Sequence, residues 1–167
     1  MARATDRFSA WRIMHHRRKE VVLGLAALLA LWLVSSSSMA QQPTPVGVWK
    51  TFNERTGQAD GLVRIVEAKG EFVGQVTAVF SPPADRPNPL CEDCPGELKN
   101  KPVIGMTILR GLRWNGEDYS GGTILDPDNG KIYQCRMRLV DGARKLEVRG
   151  YTGITLFGRT QVWERAE

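Results

Sequence analysis

Along "IYQCRMRLV", Ile132–Val140, apolar and polar side chains alternate. Tyr133, Cys135, Met137 and Leu139 fall on one side; Gln134, Arg136 and Arg138 fall on the other. A period of two with a single apolar side predicts a β-strand with one face buried and one wet. "LEVRGY" repeats the pattern, with Leu146 and Val148 against Glu147 and Arg149. Helical periodicity is hard to find after residue 46. Short runs of Val, Ile, Thr and aromatics recur instead, divided by Gly, Asn and Asp, and this is the all-β signature.

Eight strands are predicted, over 47–53, 61–68, 71–80, 103–114, 118–125, 131–140, 145–151 and 156–165. Turn chemistry separates them. Lys69-Gly70 makes a tight turn, and Asn115-Gly116 reads as a type I′ hairpin, whose two positions need positive φ. "DPDNGK" follows the fifth strand, where Pro127 sets φ and Gly130 accepts a left-handed conformation. Sequential hairpins without long crossovers make a meander. Eight strands in a meander close on themselves, which removes both sheet edges. The expected fold is therefore all-β, a single eight-stranded antiparallel barrel, with a two-sheet sandwich as the alternative. A barrel of eight strands is wide enough for side chains or one small ligand.

One segment departs from the pattern. Ser81–Pro102 holds six of the nine prolines and two of the three cysteines. Proline lacks the ladder donor, and a long loop in a small domain is usually functional or disordered. It reads as a flap across one barrel mouth.

The first forty residues read as a leader rather than as part of the fold. Arg17, Arg18 and Lys19 precede an apolar run of fourteen residues, Val21–Val34, and a small-residue exit at Ser38-Met39-Ala40. That order is a secretory signal peptide, with cleavage expected after Ala40. Fourteen residues fall short of the roughly 20 that span a bilayer. Translation is expected to begin at Met14, because residues 1–13 lengthen the basic region unusually. The domain is then 41–167, and the expected location is periplasmic or secreted. The leader carries six of the 23 Lys and Arg and two of the 18 Asp and Glu, leaving 17 and 16. The net charge beyond it is about +1, so no basic face speaks for nucleic acid.

Export permits disulfides. The pair Cys91 and Cys94 reads foremost as a small structural loop, with redox and metal roles as the other options. Zinc takes four ligands, only Cys135 remains to add, and both histidines lie in the leader. Cys135 falls on an apolar strand face as a buried small residue, or else pairs with a flap cysteine. With no histidine left, Ser-His-Asp and Cys-His triads are excluded. Asp126 and Asp128 sit where a turn calls for Asp. No phosphate loop or metal cluster is visible, so neither catalysis nor a cofactor is expected.

The two chain ends carry a further pattern. "GVWKT" opens the first strand, and "GRTQVWERAE" closes the chain. In a closed barrel these strands are neighbours. A clasp of Gly47, Trp49, Trp163 and Arg165 follows, with a guanidinium over an indole contributing about 0.5–2 kcal/mol. Arg159 and Gln161 share the face of Trp163 and Arg165, so this register would aim them inward. The opposite register, with Gly158, Thr160 and Val162 inside, is the expected one; a slip of one residue reverses it.

The Gly-x-Trp and terminal Arg resemble the calycin group (lipocalins, avidins, fatty-acid-binding proteins), where such a pair packs at the closed end. By the same resemblance, an Arg late in the barrel holds the carboxylate of an apolar acid. More specifically, "NKPVIGMTILRGL", "YSGGTILDPDNGKIYQCRMRL" and "LEVRGYTGITLFGRTQVWER", together with "GVWKT", resemble the bacterial domain of unknown function 2147 family. That resemblance implies export, a single domain, and a flap that often carries Cys-x-x-Cys, matched by Cys91 and Cys94. It brings no substrate and no catalytic residues. The expected function is binding of a small apolar or amphipathic ligand, a fatty acid or lipid-like molecule, with Arg159, Gln161, Tyr133 and Met137 as candidate contacts. The alternative is a solid barrel that serves protein–protein contact in the envelope.

Overall fold

The computed structural model describes residues 43–166. The leader, its cleavage after Ala40 and the start at Met14 lie outside the described residues. Ten strands follow one another: β1 Gly47–Phe52, β2 Ala59–Ala68, β3 Glu71–Val79, β4 Leu90–Cys91, β5 Lys101–Pro102, β6 Thr107–Trp114, β7 Tyr119–Asp126, β8 Lys131–Val140, β9 Lys145–Tyr151 and β10 Gly158–Arg165. Eight close into a barrel in the order β1-β10-β9-β8-β7-β6-β3-β2, every neighbour antiparallel. The expected meander barrel is thus present, and the sandwich is set aside. Strands β4 and β5 pair only with each other, inside the flap.

Local chemistry explains most of the turns. Lys69 and Gly70 both have positive φ, 54° and 77°, as a two-residue hairpin requires. Asn115-Gly116 behaves differently from the expected type I′ turn. Asn115 keeps negative φ, and its Oδ1 accepts the N–H groups of Glu117 and Asp118 at 2.9 Å each. This Asx turn makes a four-residue loop between β6 and β7, because the side chain competes with the backbone for the turn's donors. The fourth predicted strand also starts later. Val103–Met106 is a corner, with Gly105 N donating to Val76 O and Val76 N to Met106 O. Leu156 and Phe157 likewise precede β10 and belong to a loop.

The interior divides into two halves along the barrel axis. At the end where the chain enters, Trp49, Ile65, Leu112, Met137 and Leu146 are fully buried and pack together. Phe72 and Tyr119 join them edge to face, with ring centroids 4.8 Å apart. Each such side chain contributes about 1.5–3 kcal/mol by leaving water. This packed half is the closed pole. Toward the other pole the interior opens.

The seam between first and last strands is short. Two pairs, Trp49↔Arg165 and Lys50↔Glu164, join β1 to β10 near the closed pole. Beyond Lys50 the strands part, and side chains bridge the gap where the backbone ladder stops.

Candidate functional site: a cavity at the open pole

The open half encloses a cavity of about 830 Å³. Val63, Val76, Ile108, Leu125, Val148 and Trp163 form its apolar inner part. Pro89 and Leu90 bring the flap onto its rim, beside Val103 of the corner that follows. Both the size and the mixture of an apolar interior with a few polar groups are those of small-molecule pockets.

Strand β10 supplies one wall. Trp163 is buried, and Arg159 and Gln161 line the cavity on the same face. The expected register, with Gly158, Thr160 and Val162 inside, is corrected: Val162 is exposed on the outer face. The reason is packing. A buried indole at position 163 outweighs two polar neighbours, because those neighbours reach the mouth and find partners there.

Those partners form a chain. Arg159 Nη2 donates to Asp126 Oδ2 at 2.6 Å, and Arg159 Nη1 lies 3.3 Å from Glu54 Oε2. Gln161 Nε2 donates to Glu54 Oε1 at 3.0 Å, and Trp163 Nε1 donates to Gln161 Oε1 at 3.0 Å. Asn129 Nδ2 donates to Asp126 Oδ2 at 2.8 Å and to the Tyr133 hydroxyl at 3.3 Å. Glu54, from the β1–β2 loop, therefore bridges the part of the seam that lacks backbone pairing. At the base of the same β1–β2 loop the Thr51 hydroxyl donates to Asp60. Asp128 completes the mouth. Displaced water, and then repulsion from Asp126 and Asp60, push its carboxyl up, against the smaller opposing pull of Arg55 and Arg159.

Of the four candidate contacts, Arg159, Gln161 and Tyr133 line the cavity. Met137 does not. It is buried in the packed half opposite Tyr119 and Val148, because two residues along an inward strand face carry it about 7 Å deeper per step. Glu54, Asn129 and Asp126 escaped the sequence reading as site residues. Asp126 and Asn129 read as turn formers, and Glu54 gives no periodic signal in its loop.

The flap is ordered by its own ladder and by a disulfide. Cys91 and Cys94 are bonded, with Cα atoms 5.4 Å apart. Cys91 Sγ lies 3.3 Å from the Pro127 carbonyl, so the loop rests on the β7–β8 turn. Gly130 makes that contact possible. Its φ is 66°, and a β-carbon there would overlap the Asp93 carbonyl. Cys135 is a free, buried thiol, pushed up to about 12 by desolvation.

At the closed pole, Arg165 Cζ sits 4.3 Å from the centroid of the Trp49 ring. Its three nitrogens donate to the carbonyls of Ala143, Val46 and Thr44, each at 2.9 Å. Trp49 Nε1 donates to Pro45 O at 2.8 Å. Gly47, with φ of 142°, leads the chain into β1 at this point. Trp163, expected as a clasp member, is instead part of the cavity wall, one inward position nearer the mouth than Arg165.

The family model for "Uncharacterized protein conserved in bacteria (DUF2147)" matches residues 47–165, the whole barrel. The chain belongs to the DUF2147 family. No curated protein matches it. Among solved structures, this DUF2147 protein is similar to protein HP1028 from the human pathogen Helicobacter pylori, a protein that belongs to the lipocalin family. The TM-score is 0.63 at 21% identity, over 73% of this chain and 82% of that one. At that identity the likeness is one of fold: the DUF2147 barrel is lipocalin-like.

Proposed function

We propose that this is an exported, non-enzymatic protein that holds one small amphipathic molecule in the open half of its barrel. The observation that carries the reading is the cavity of about 830 Å³, apolar within and polar at its mouth. An apolar tail against Val63, Ile108 and Val148 gains about 25 cal/mol for each Å² removed from water. Export, to the periplasm or beyond, rests on the leader-like order of residues 1–40.

The test is native mass spectrometry of protein purified from the bacterial envelope, paired with titration of a neutral apolar fluorophore. A co-purifying small molecule, or saturable fluorophore binding, is expected. Absence of both would end the proposal.

A second reading, protein–protein contact in the envelope, has one observation in its favour. Ile154, Leu156 and Phe157 are 59%, 75% and 69% exposed in one loop beside the mouth. The solid barrel that this reading first assumed is not what the interior looks like, so the loop is its remaining support.

A further inference from the structure

The wiring of the mouth bears on which amphiphile the cavity accepts. An Arg facing into a barrel is the natural anchor for a carboxylate, but only if its donors are free. Here both terminal nitrogens of Arg159 already face protein carboxylates, those of Asp126 and Glu54. Gln161 commits one of its two amide N–H donors to Glu54, and Trp163 spends its indole N–H on Gln161. Two further carboxylates at the mouth, Asp60 and Asp128, have no ion-pair partner among the described residues. Arg55, an exposed side chain of the β1–β2 loop, is the other lining cation among the described residues. Four carboxylates against two guanidiniums therefore surround the entrance. A fatty acid that reached the remaining N–H groups of Arg159 would set a further negative charge beside Asp126 and Glu54 and compete with them for the one guanidinium. A donor head meets open acceptor positions, since each carboxylate can take about four hydrogen bonds.

From this arrangement we infer that the cavity takes an amphiphile with a cationic, hydrogen-bond-donating head such as an alkylammonium, and discriminates against fatty carboxylates. The inference rests on the binding function proposed above. It reverses the role that the fatty-acid-binding-protein resemblance implies for Arg159: the guanidinium holds Glu54 and Asp126 in place as acceptors rather than meeting the ligand itself.

Decylamine, decanol and decanoate test it, used below their micellar concentrations at pH 7 to displace N-phenyl-1-naphthylamine from the full-length protein after removal of co-purified lipid. The expected order is amine, then alcohol, then carboxylate, with about tenfold between amine and carboxylate at low ionic strength. The gap should narrow as salt is raised. Decanoate binding as tightly as decylamine, or decylamine no tighter than decanol, overturns the inference while leaving the binding reading intact. Fluorophore that binds but yields to none of the three overturns the inference alone. A protein that takes up no fluorophore and retains no small molecule overturns both. In a second arm, Glu54→Gln combined with Asp126→Asn frees Arg159 and should close or invert the gap between amine and carboxylate. An unchanged ratio in a folded double variant counts against the inference. Should that variant fail to fold, the wild-type series still decides.

Discussion

Removing the Trp49 indole takes the plug from the closed pole and the floor from beneath Arg165. Trp49→Ala is expected to lower stability by about 3–5 kcal/mol in chemical denaturation. Arg165 adds three charge-assisted hydrogen bonds to backbone carbonyls, two in the stretch that leads into β1 and one in the β8–β9 turn. An ammonium offers no planar fork to span them, so Arg165→Lys should recover little of what Arg165→Ala loses, about 1.5–3 kcal/mol. Asp128 gives a prediction of the opposite sign. Because its native carboxyl is pushed up, the folded state holds that proton more firmly than the unfolded chain does. Stability then falls as pH rises through the window between the ordinary carboxylate range and the raised native value. Asp128→Asn escapes that loss. Thermal melts at pH 7 should place it above the wild type by a few tenths of a kcal/mol, the effect being discounted because the residue is solvent-exposed. The advantage should vanish below the ordinary carboxylate range.

At the scale of elements, the flap and the β9–β10 loop behave differently. The Cys91–Cys94 bond closes a four-residue loop, and loop-closure arithmetic assigns it about 2 kcal/mol. Cys91→Ser with Cys94→Ser should loosen the flap, seen as faster proteolysis between Ser81 and Pro102, while the far-ultraviolet β signal of the barrel persists. In the β9–β10 loop, Arg149 donates to the carbonyls of Thr155 and Leu156 and fixes the loop's path. Leu156 and Phe157 face solvent nonetheless. Leu156→Ser and Phe157→Ser should each shift stability by less than about 0.5 kcal/mol, a result that unfolding midpoints would check. Strand order, the clasp pair and the flap were legible because they rest on period-two alternation and on prolines, which are local signals. The inward face of β10 was not. "GRTQVWER" alternates polar residues on both faces, and only burial of Trp163 against β9 decides between them. Asp126, Asn129 and Glu54 were hidden for a related reason. A residue that shapes a turn and a residue that lines a mouth look alike until the barrel brings β7, β10 and the β1–β2 loop together.

The whole molecule joins a dense half to a hollow one. Amide hydrogen exchange should follow that division: slow for Ile65, Leu112 and Leu146, and faster toward Asp60, Leu125 and Gly158. Equal protection along the axis would mean that the cavity leaves local stability unchanged. The short β1–β10 seam belongs to this scale too, since Glu54 ties both Gln161 and Arg159 across it. Ligand binding at the mouth should therefore slow exchange in Phe52 and Gln161 more than anywhere at the closed pole.

Both described ends of the chain meet at the closed pole, where Arg165 grips Thr44 and Val46, and Ala166 N donates to Val48 O. A linker joined ahead of Pro43 or behind Ala166 thus departs from the side remote from the aperture. Attached to a bead or a sensor chip by either terminus, the protein would stand with its entrance toward the bulk liquid, and a reporter fused there would leave the way in unobstructed.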